Sequence, residues 1–188
     1  LDSGMFTTFR GGQSGGWRVT SISKVKGETL PRVPAVSIIA SEAIALPLLP
    51  STTAWRLAGV ISHLRYTNRA EKEQLDAQQA GLGRREASCA ALIPIRKTVA
   101  WWNLTPEERR DIFEDKSHHI AGTLKYLPAI ARQLFHSRDL GEPFDFLTWF
   151  EFAPEHTALF DELVAMLRAT EEWSYVEREV DVRLVREE

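Results

Sequence analysis

The chain has 188 residues, of which 44% are hydrophobic and 26% are charged, and its formal net charge is −3. These values are typical of one globular domain, or of one domain with a shortened internal duplicate, that can bury a sizeable core. Because the charge is slightly negative and no basic run is present, nucleic acid is excluded as a principal partner. The apolar run at residues 34–50 contains Glu42 and three prolines and is too short to cross a bilayer of roughly 30 Å, so we expect no membrane partner.

The single cysteine and the first residues bear on where the protein works. Cys89 cannot form an intramolecular disulfide, and its apolar neighbours predict a buried thiol. This fits a reducing compartment, and we expect a cytoplasmic protein. Residues 1–16 are rich in glycine and serine and are expected to be flexible, with the four residues before Met5 being a cloning remnant.

The first half of the chain predicts three strands separated by two less regular segments. β-forming residues predict strands at 17–25 and 55–66, and a third strand at 89–102. The apolar segment 34–50 is expected to be buried and partly helical. Residues 70–80 are rich in helix formers and predict a helix or a structured loop.

The second half carries clearer signals, beginning with a helix start. Thr105 precedes a proline and stands three residues before Glu108, which predicts a capping box and a helix that runs to about Lys116. A further helical stretch is predicted at 119–136. Residues 144–152 alternate as in a strand, with four phenylalanines on one face and Asp145, Leu147, Trp149 and Glu151 on the other.

The last elements are one amphipathic helix and one strand. An apolar stripe within residues 159–167 predicts the helix, and alternation over 176–184 predicts the strand. Strands that alternate with helices, and that leave one sheet face in contact with water, indicate an α+β fold with an antiparallel sheet.

A histidine and an arginine mark the candidate site. His119 stands thirteen residues before Arg132 in an otherwise apolar, largely uncharged stretch. Imidazole is a good iron ligand and guanidinium is a permanent cation, so an apolar pocket with one of each would suit a haem enzyme that acts on a small anion. The alternatives are a structural interior histidine and an arginine that forms a buried salt bridge with Asp139 or Asp145.

Three segments together resemble a known family. The segments are KTVAWWNLTPEERRDIFEDKSHH at 97–119, SHHIAGTLKYLPAIARQLFHSRDLGEPFDFLTWFEF at 117–152 and ATEEWSYVEREVDVRLVRE at 169–187. In order and spacing they resemble the short chlorite dismutases, closely over residues 90–187 and loosely before that. The resemblance implies a homodimer whose chain forms a ferredoxin-like α+β barrel with helices outside. A reduced first ferredoxin-like unit at 17–85 and a haem-binding second unit at 86–188 would supply the sheet.

The resemblance also implies a set of cofactor-binding residues. His119 would be the metal ligand that holds the iron of haem b, with the adjacent His118 turned to solvent. Glu172 would accept the other imidazole N–H, and Lys97 would pair with that carboxylate. Trp102 matches the tryptophan on the same side of the haem as the histidine.

Further residues of the site follow from the same resemblance. Tyr66 and Asn68 would bind the haem propionates, and Gln79 would support the catalytic residue Arg132 on the other side of the haem. The implied reaction decomposes chlorite to chloride and dioxygen through a ferryl species and transient hypochlorite, which Arg132 keeps close. Two alternatives stay open, a coproporphyrin-haem decarboxylase, whose family lacks this arginine, and a non-catalytic haem-binding barrel module.

Overall fold

Antiparallel strands form a closed barrel, and short helices cover part of its outer surface. The computed structural model of the chain describes residues 6–42, 52–62, 69–116 and 118–187, without the side chain of Asp115. The strands are β1 (Phe6–Gly12), β2 (Trp17–Lys26), β3 (Ala35–Ser41), β4 (Trp55–Ile61), β5 (Cys89–Lys97), β6 (Ile130–His136), β7 (Phe146–Phe152) and β8 (Val176–Arg186). The α-helices are α1 (Arg69–Gln78), α2 (Val99–Asn103), α3 (Pro106–Arg110), α4 (His119–Leu124) and α5 (Thr157–Arg168).

The order of strands around the barrel follows the two halves of the chain. The order is β1-β3-β2-β8-β5-β7-β6-β4, and all neighbouring strands are antiparallel. Each half therefore contributes four adjacent strands, and the order within the first half is repeated in the second. The halves meet where β2 pairs with β8 and where β4 pairs with β6. The prediction of an antiparallel sheet with outer helices is confirmed.

Alternation along the strands divides the apolar residues between the inside of the barrel and its outer face. The interior is filled by a cluster in which the buried ring of Trp149 contacts two other buried aromatic side chains, Phe9 and Trp17. Residues of β5 and β7 with the opposite parity, such as Ile93 and Phe150, form a second cluster with α5 on the outer face. Both faces of β5 and β7 are thus covered, and the candidate site lies on the outer one.

The prediction of a helix over 119–136 is wrong in its second part. The helix α4 ends at Leu124, and residues from Ile130 onward form β6, which pairs along its whole length with β7. Backbone pairing with the neighbouring strand determines the conformation here, and it overrides the helix-forming residues of the segment. Arg132 consequently lies on a strand.

Several other boundaries differ from the sequence prediction. Residues 6–12, within the segment expected to be flexible, form β1, while residues 35–41 of the apolar run form a strand and not a helix. The third strand ends at Lys97, because α2 follows it at once. Cys89 is half-buried, and burial raises the pKa of its thiol.

The predicted division of the strand at 144–152 into a phenylalanine face and a wet face is wrong in two respects. Phe144 precedes β7 and packs inside the barrel with Leu147 and Trp149. The second face is not wet, because Leu147 and Trp149 are fully buried there and the carboxylate of Glu151 is buried as well.

The predicted helix start at Thr105 is confirmed. The Thr105 hydroxyl accepts the N–H of Glu108, and the Glu108 carboxylate accepts the N–H of Thr105 at 2.7 Å. The α-helix ends at Arg110 and continues as one π-helix, Asp111–Lys116. Two further elements matter below, the 3₁₀ helix Glu171–Tyr175 and the α5 helix before it. Across the described ranges, no helix has the length and apolarity that spanning a membrane requires.

Candidate functional site

A buried lysine, a buried glutamate and a histidine form a hydrogen-bonded chain on the outer face of the barrel. The Lys97 ammonium donates to Glu172 Oε1 at 2.7 Å, and His119 Nδ1 lies 2.7 Å from Glu172 Oε2. Lys97 is 6% exposed and Glu172 is 4% exposed. Three distant segments of the chain, β5, α4 and the 3₁₀ helix Glu171–Tyr175, therefore meet at one carboxylate.

Local structure explains why the Lys97 side chain points to this place. Lys97 ends β5 and shares the outward parity of Ile93 and Ile95, so its side chain lies on the outer face. Its ammonium also lies over the ring of Trp101, 3.7 Å from the ring centre. The lysine ammonium thus contacts both a carboxylate and an aromatic face, and both contacts stabilise a cation.

The electrostatics of the pair favour the ionised carboxylate. Burial alone would raise the pKa of Glu172, but the charges of Lys97 and His119 and their hydrogen bonds outweigh burial and lower it from 4.5 to about 2. Burial lowers the pKa of the Lys97 ammonium, and attraction to Glu172 opposes that shift. Because the Glu172 carboxylate is ionised above about pH 2 and lies 2.7 Å away, we treat the two residues as an ion pair at neutral pH.

The imidazole of His119 is held on its ring face as well as at Nδ1. The ring of Phe113 stacks on it with 4.2 Å between ring centres and 21° between ring planes. Since Glu172 occupies Nδ1, the ring nitrogen that is available to a metal is Nε2. The adjacent His118 is exposed, as expected for a residue turned to solvent. Its backbone is left-handed, with φ of 51°.

Arg132 borders the same cavity from β6. Its side chain is half-buried, and burial lowers the pKa of its guanidinium. Among the described residues, this guanidinium has no ion pair and no hydrogen bond. Asp139 is instead paired with His136, and Asp145 accepts hydrogen bonds from the Lys97 backbone and from Trp102. The salt-bridge alternative for Arg132 is therefore wrong for both proposed partners.

Gln79 follows α1 and contacts the backbone of β6, the strand that carries Arg132. Its side-chain amide donates to the backbone carbonyl of Arg132 at 3.0 Å. The sequence led us to expect a glutamine that holds the arginine, and in the structure the contact is with the main chain and not with the guanidinium.

The cavity that these residues share has a volume of about 490 Å³ and is mostly apolar. Its walls come from β5, β6, β7, α1, α4 and α5, and His119, Glu172, Lys97, Gln79 and Arg132 all contribute to its lining. The apolar and aromatic lining consists of Ile61, Leu75, Ile93, Ile95, Trp101, Phe113, Ile120, Tyr126, Leu127, Ile130, Leu134, Phe146, Phe150, Leu163, Val164, Leu167 and Trp173. A volume of this size is typical of small-molecule and cofactor pockets.

The two adjacent tryptophans have different positions. Trp101 is buried and lines the cavity, whereas Trp102 is not among the lining residues. Trp102 stacks on Phe146, lies 3.9 Å beneath the Arg138 guanidinium and donates to Asp145. Of the two tryptophans, Trp101 lines the cavity and Trp102, for which a cofactor contact was predicted, does not.

Some predicted residues lie outside the described part of the chain, and others were not foreseen. Tyr66 and Asn68 fall in the range 63–68, which is not described, and their proposed contacts stay predictions. The sequence reasoning did not identify Phe113 or Glu114, which support His119. The only signal for them was their position, six and five residues before the histidine respectively, on the helix that precedes it.

Comparison with known proteins shows the family to which the chain is related. The family model described as chlorite dismutase matches residues 48–187. Chlorite dismutase from Ideonella dechloratans is 30% identical over 139 residues, which cover 68% of this chain and 46% of that protein. The chain thus spans about half the length of this curated relative.

Solved structures show the same architecture. A dimeric chlorite dismutase from Nitrobacter winogradskyi is 62% identical, with a TM-score of 0.88 over 96% of this chain and 99% of that one. Chlorite dismutase from Candidatus Nitrospira defluvii in complex with imidazole has a TM-score of 0.72 at 19% identity, over 100% of this chain and 93% of that one, which shows the shared fold. On the family match and the identity over two thirds of its length, this chain belongs to the chlorite dismutase family.

Proposed function

We propose that this chain binds haem b at His119 and decomposes chlorite to chloride and dioxygen. The observation that carries the proposal is that the Lys97–Glu172–His119 chain and Arg132 border one apolar cavity. Membership of the chlorite dismutase family supports the reaction. The conversion of ClO₂⁻ to Cl⁻ and O₂ is balanced in atoms and charge, so it requires no external oxidant or reductant.

The residues around the cavity fit a haem group. A single imidazole with its Nδ1 held by a carboxylate is the ligand arrangement of many haem proteins, because the porphyrin nitrogens supply the other protein-independent ligands of the iron. Apolar side chains from three strands and three helices offer surfaces for a flat, largely apolar ring. When bound, haem would supply an iron that can exchange oxygen and electrons with chlorite.

Glu172 and Lys97 set the basicity of the His119 imidazole. Glu172 accepts the Nδ1–H hydrogen bond and so makes Nε2 a stronger donor toward a metal. Lys97 keeps Glu172 ionised and fixes the direction of its carboxylate. Trp101, rather than Trp102, takes the role of the cavity tryptophan in this proposal, since it lies in the wall and beneath the Lys97 ammonium.

Arg132 acts on the small anions. Its cation borders a largely apolar cavity, where attraction to an anion is several-fold stronger than in water. We assign it the retention of hypochlorite, the chlorine species left after chlorite gives up one oxygen atom, until the O–O bond forms. Gln79 supports this role by holding the backbone of Arg132 in place.

Three further parts of the proposal concern assembly and context. The similarity to the dimeric enzyme of Nitrobacter winogradskyi supports a homodimer. The repeated strand order supports two ferredoxin-like units, with the haem in the second. The cytoplasmic location rests on the lone cysteine and stays a prediction.

The function is tested by an optical spectrum of the purified protein and by chlorite addition in an oxygen-electrode cell. We expect a haem Soret band and about one O₂ released per chlorite consumed. A haem-loaded protein that releases no oxygen from chlorite would favour the decarboxylase or the non-catalytic module. A protein that takes up no haem would contradict the cofactor assignment.

The ligand assignment is tested with the two neighbouring histidines. His119→Ala should lose most of its haem, because no other imidazole among the described residues lines the cavity. His118→Ala is the matched control and should retain haem, since this side chain is exposed and does not line the cavity. Pyridine haemochrome analysis gives the haem content, and full occupancy in both variants would refute the assignment.

Arg132→Ala should still release some oxygen from chlorite but should inactivate after fewer turnovers, because hypochlorite escapes and damages the haem. Methionine, a hypochlorite scavenger, should prolong the activity of Arg132→Ala more than that of the wild type. Arg132→Lys keeps the charge without the planar fork and should be intermediate. Arg96→Ala removes an exposed arginine outside the cavity and serves as the control. Equal oxygen yield and equal bleaching in Arg132→Ala and wild type would make the arginine structural.

The oligomeric state has a direct measurement. Light scattering at micromolar protein concentration should give about twice the chain mass of 21.3 kDa. A monomer or a pentamer at that concentration would contradict the homodimer.

Acid should weaken the fold through Glu172. Its folded pKa of about 2 lies below the ordinary 4.5, so its contribution to stability is complete above about pH 4.5 and is lost as the pH falls toward 2. Glu172→Gln should be less stable at pH 7, because Lys97 is left buried without its partner, and its stability should change less between pH 5 and 3. Urea unfolding of the cofactor-free protein measures both. Glu162→Gln, which removes an exposed paired carboxylate, is the control, and a Glu172→Gln curve parallel to wild type would contradict the assignment.

A further inference from the structure

A second buried carboxylate, Glu114, holds the first turn of the histidine helix. Its Oε2 accepts the N–H of Ile120 at 2.6 Å, and its Oε1 accepts the N–H of Ala121 at 3.1 Å. The side chain is 7% exposed, and the residue is not part of the cavity lining. Both carboxylate oxygens are thus engaged by the backbone immediately after His119.

The helix α4 needs this support because it lacks a cap of its own. The residue at its N-cap position is His118, which has a left-handed backbone and makes no side-chain capping hydrogen bond. The first N–H groups of a helix have no partner within the helix, and leaving them unpaired in a buried place is costly. Glu114 supplies the missing acceptors, and its backbone carbonyl also accepts the N–H of His118 at 2.8 Å.

The π-helix Asp111–Lys116 carries two further residues that support His119. It carries Phe113, which stacks on the ring of His119, and Glu114, which fixes the backbone on the C-terminal side of His119. The Nζ atom of its last residue, Lys116, lies 3.8 Å from Oε1 of Glu171, the residue before Glu172. Ile120 is buried against Leu75 of α1 and Leu127, so the turn that Glu114 holds is also packed.

We propose that Glu114 is a positioning residue. It fixes the backbone of α4 so that His119 Nδ1 meets Glu172 and Nε2 is left to bind the haem iron. The proposal rests on the proposed function, in which His119 binds the haem iron. Glu114 touches neither substrate nor cofactor, and its effect reaches the site only through the placement of the imidazole. Losing it should loosen the ring even though His119, Glu172 and Lys97 are all retained.

The test compares Glu114→Gln with Glu108→Gln. Glutamine has nearly the same size, but one of its two terminal atoms is a donor, so it cannot accept both backbone N–H groups. Glu108 caps α3 with the same chemistry, through the N–H of Thr105, at an exposed position away from the cavity. It therefore controls for a general loss of helix capping.

Two readouts separate the positioning role from the proposed function. In NMR spectra of cofactor-free protein with ¹⁵N-labelled histidine, Glu114→Gln should shift or broaden the ring signals of His119. These signals are identified as the ones that move in Glu172→Ala, which removes the hydrogen-bond partner of the ring. In the haem-loaded protein, Glu114→Gln should transfer haem to apomyoglobin about tenfold faster and shift the ferrous iron–histidine stretching band. Glu108→Gln should match wild type in both measurements.

The outcomes decide the proposal in each case. Wild-type ring signals in cofactor-free Glu114→Gln would overturn the positioning role. A wild-type chain that binds no haem would overturn the proposed function, and the ring signals would still decide the role of Glu114. If Glu114→Gln does not fold, Glu114→Asp keeps the charge on a shorter side chain and is judged by the same ring signals.

Discussion

The buried ion pair between Lys97 and Glu172 is the constraint on which the candidate site depends. Two opposite charges are removed from water together, and neither can be left without the other at low cost. The pair fixes the end of β5 to the 3₁₀ helix Glu171–Tyr175, and the second carboxylate oxygen fixes the imidazole of His119. A stable contact and a polarised metal ligand therefore arise from the same three side chains.

The barrel makes this site possible because its strands are buried on both faces. Inward residues of β5, β6 and β7 fill the interior, and this frees outward residues such as Lys97 and Arg132 to serve the cavity. Arg132 differs from Lys97 in having no counter-ion among the described residues. The buried cation of Lys97 is thus used for structure, and the half-buried cation of Arg132 is available to an anionic substrate.

Local sequence signals predicted some elements well and others poorly. The capping box at Thr105 was predictable because it depends on residues within one turn. The strand at Ile130–His136 was not, because an apolar segment gives no clear period and pairing with β7 determines its conformation. The roles of Glu172 and Lys97 came from the resemblance, since their contacts join residues far apart in the chain, whereas His119 was already marked by its spacing to Arg132. Glu114 lies in a charged run that reads as solvated, and only the fold reveals that it is buried.

The most direct test of the central claim is the midpoint reduction potential of the haem in Glu172→Gln. The variant keeps the shape of the side chain but removes the charge that makes the imidazole electron-rich, so the account predicts a higher potential than in wild type. Glu171→Gln, which changes the exposed neighbouring carboxylate, should leave the potential unchanged. Equal potentials in Glu172→Gln and wild type would show that the buried carboxylate does not act on the metal ligand.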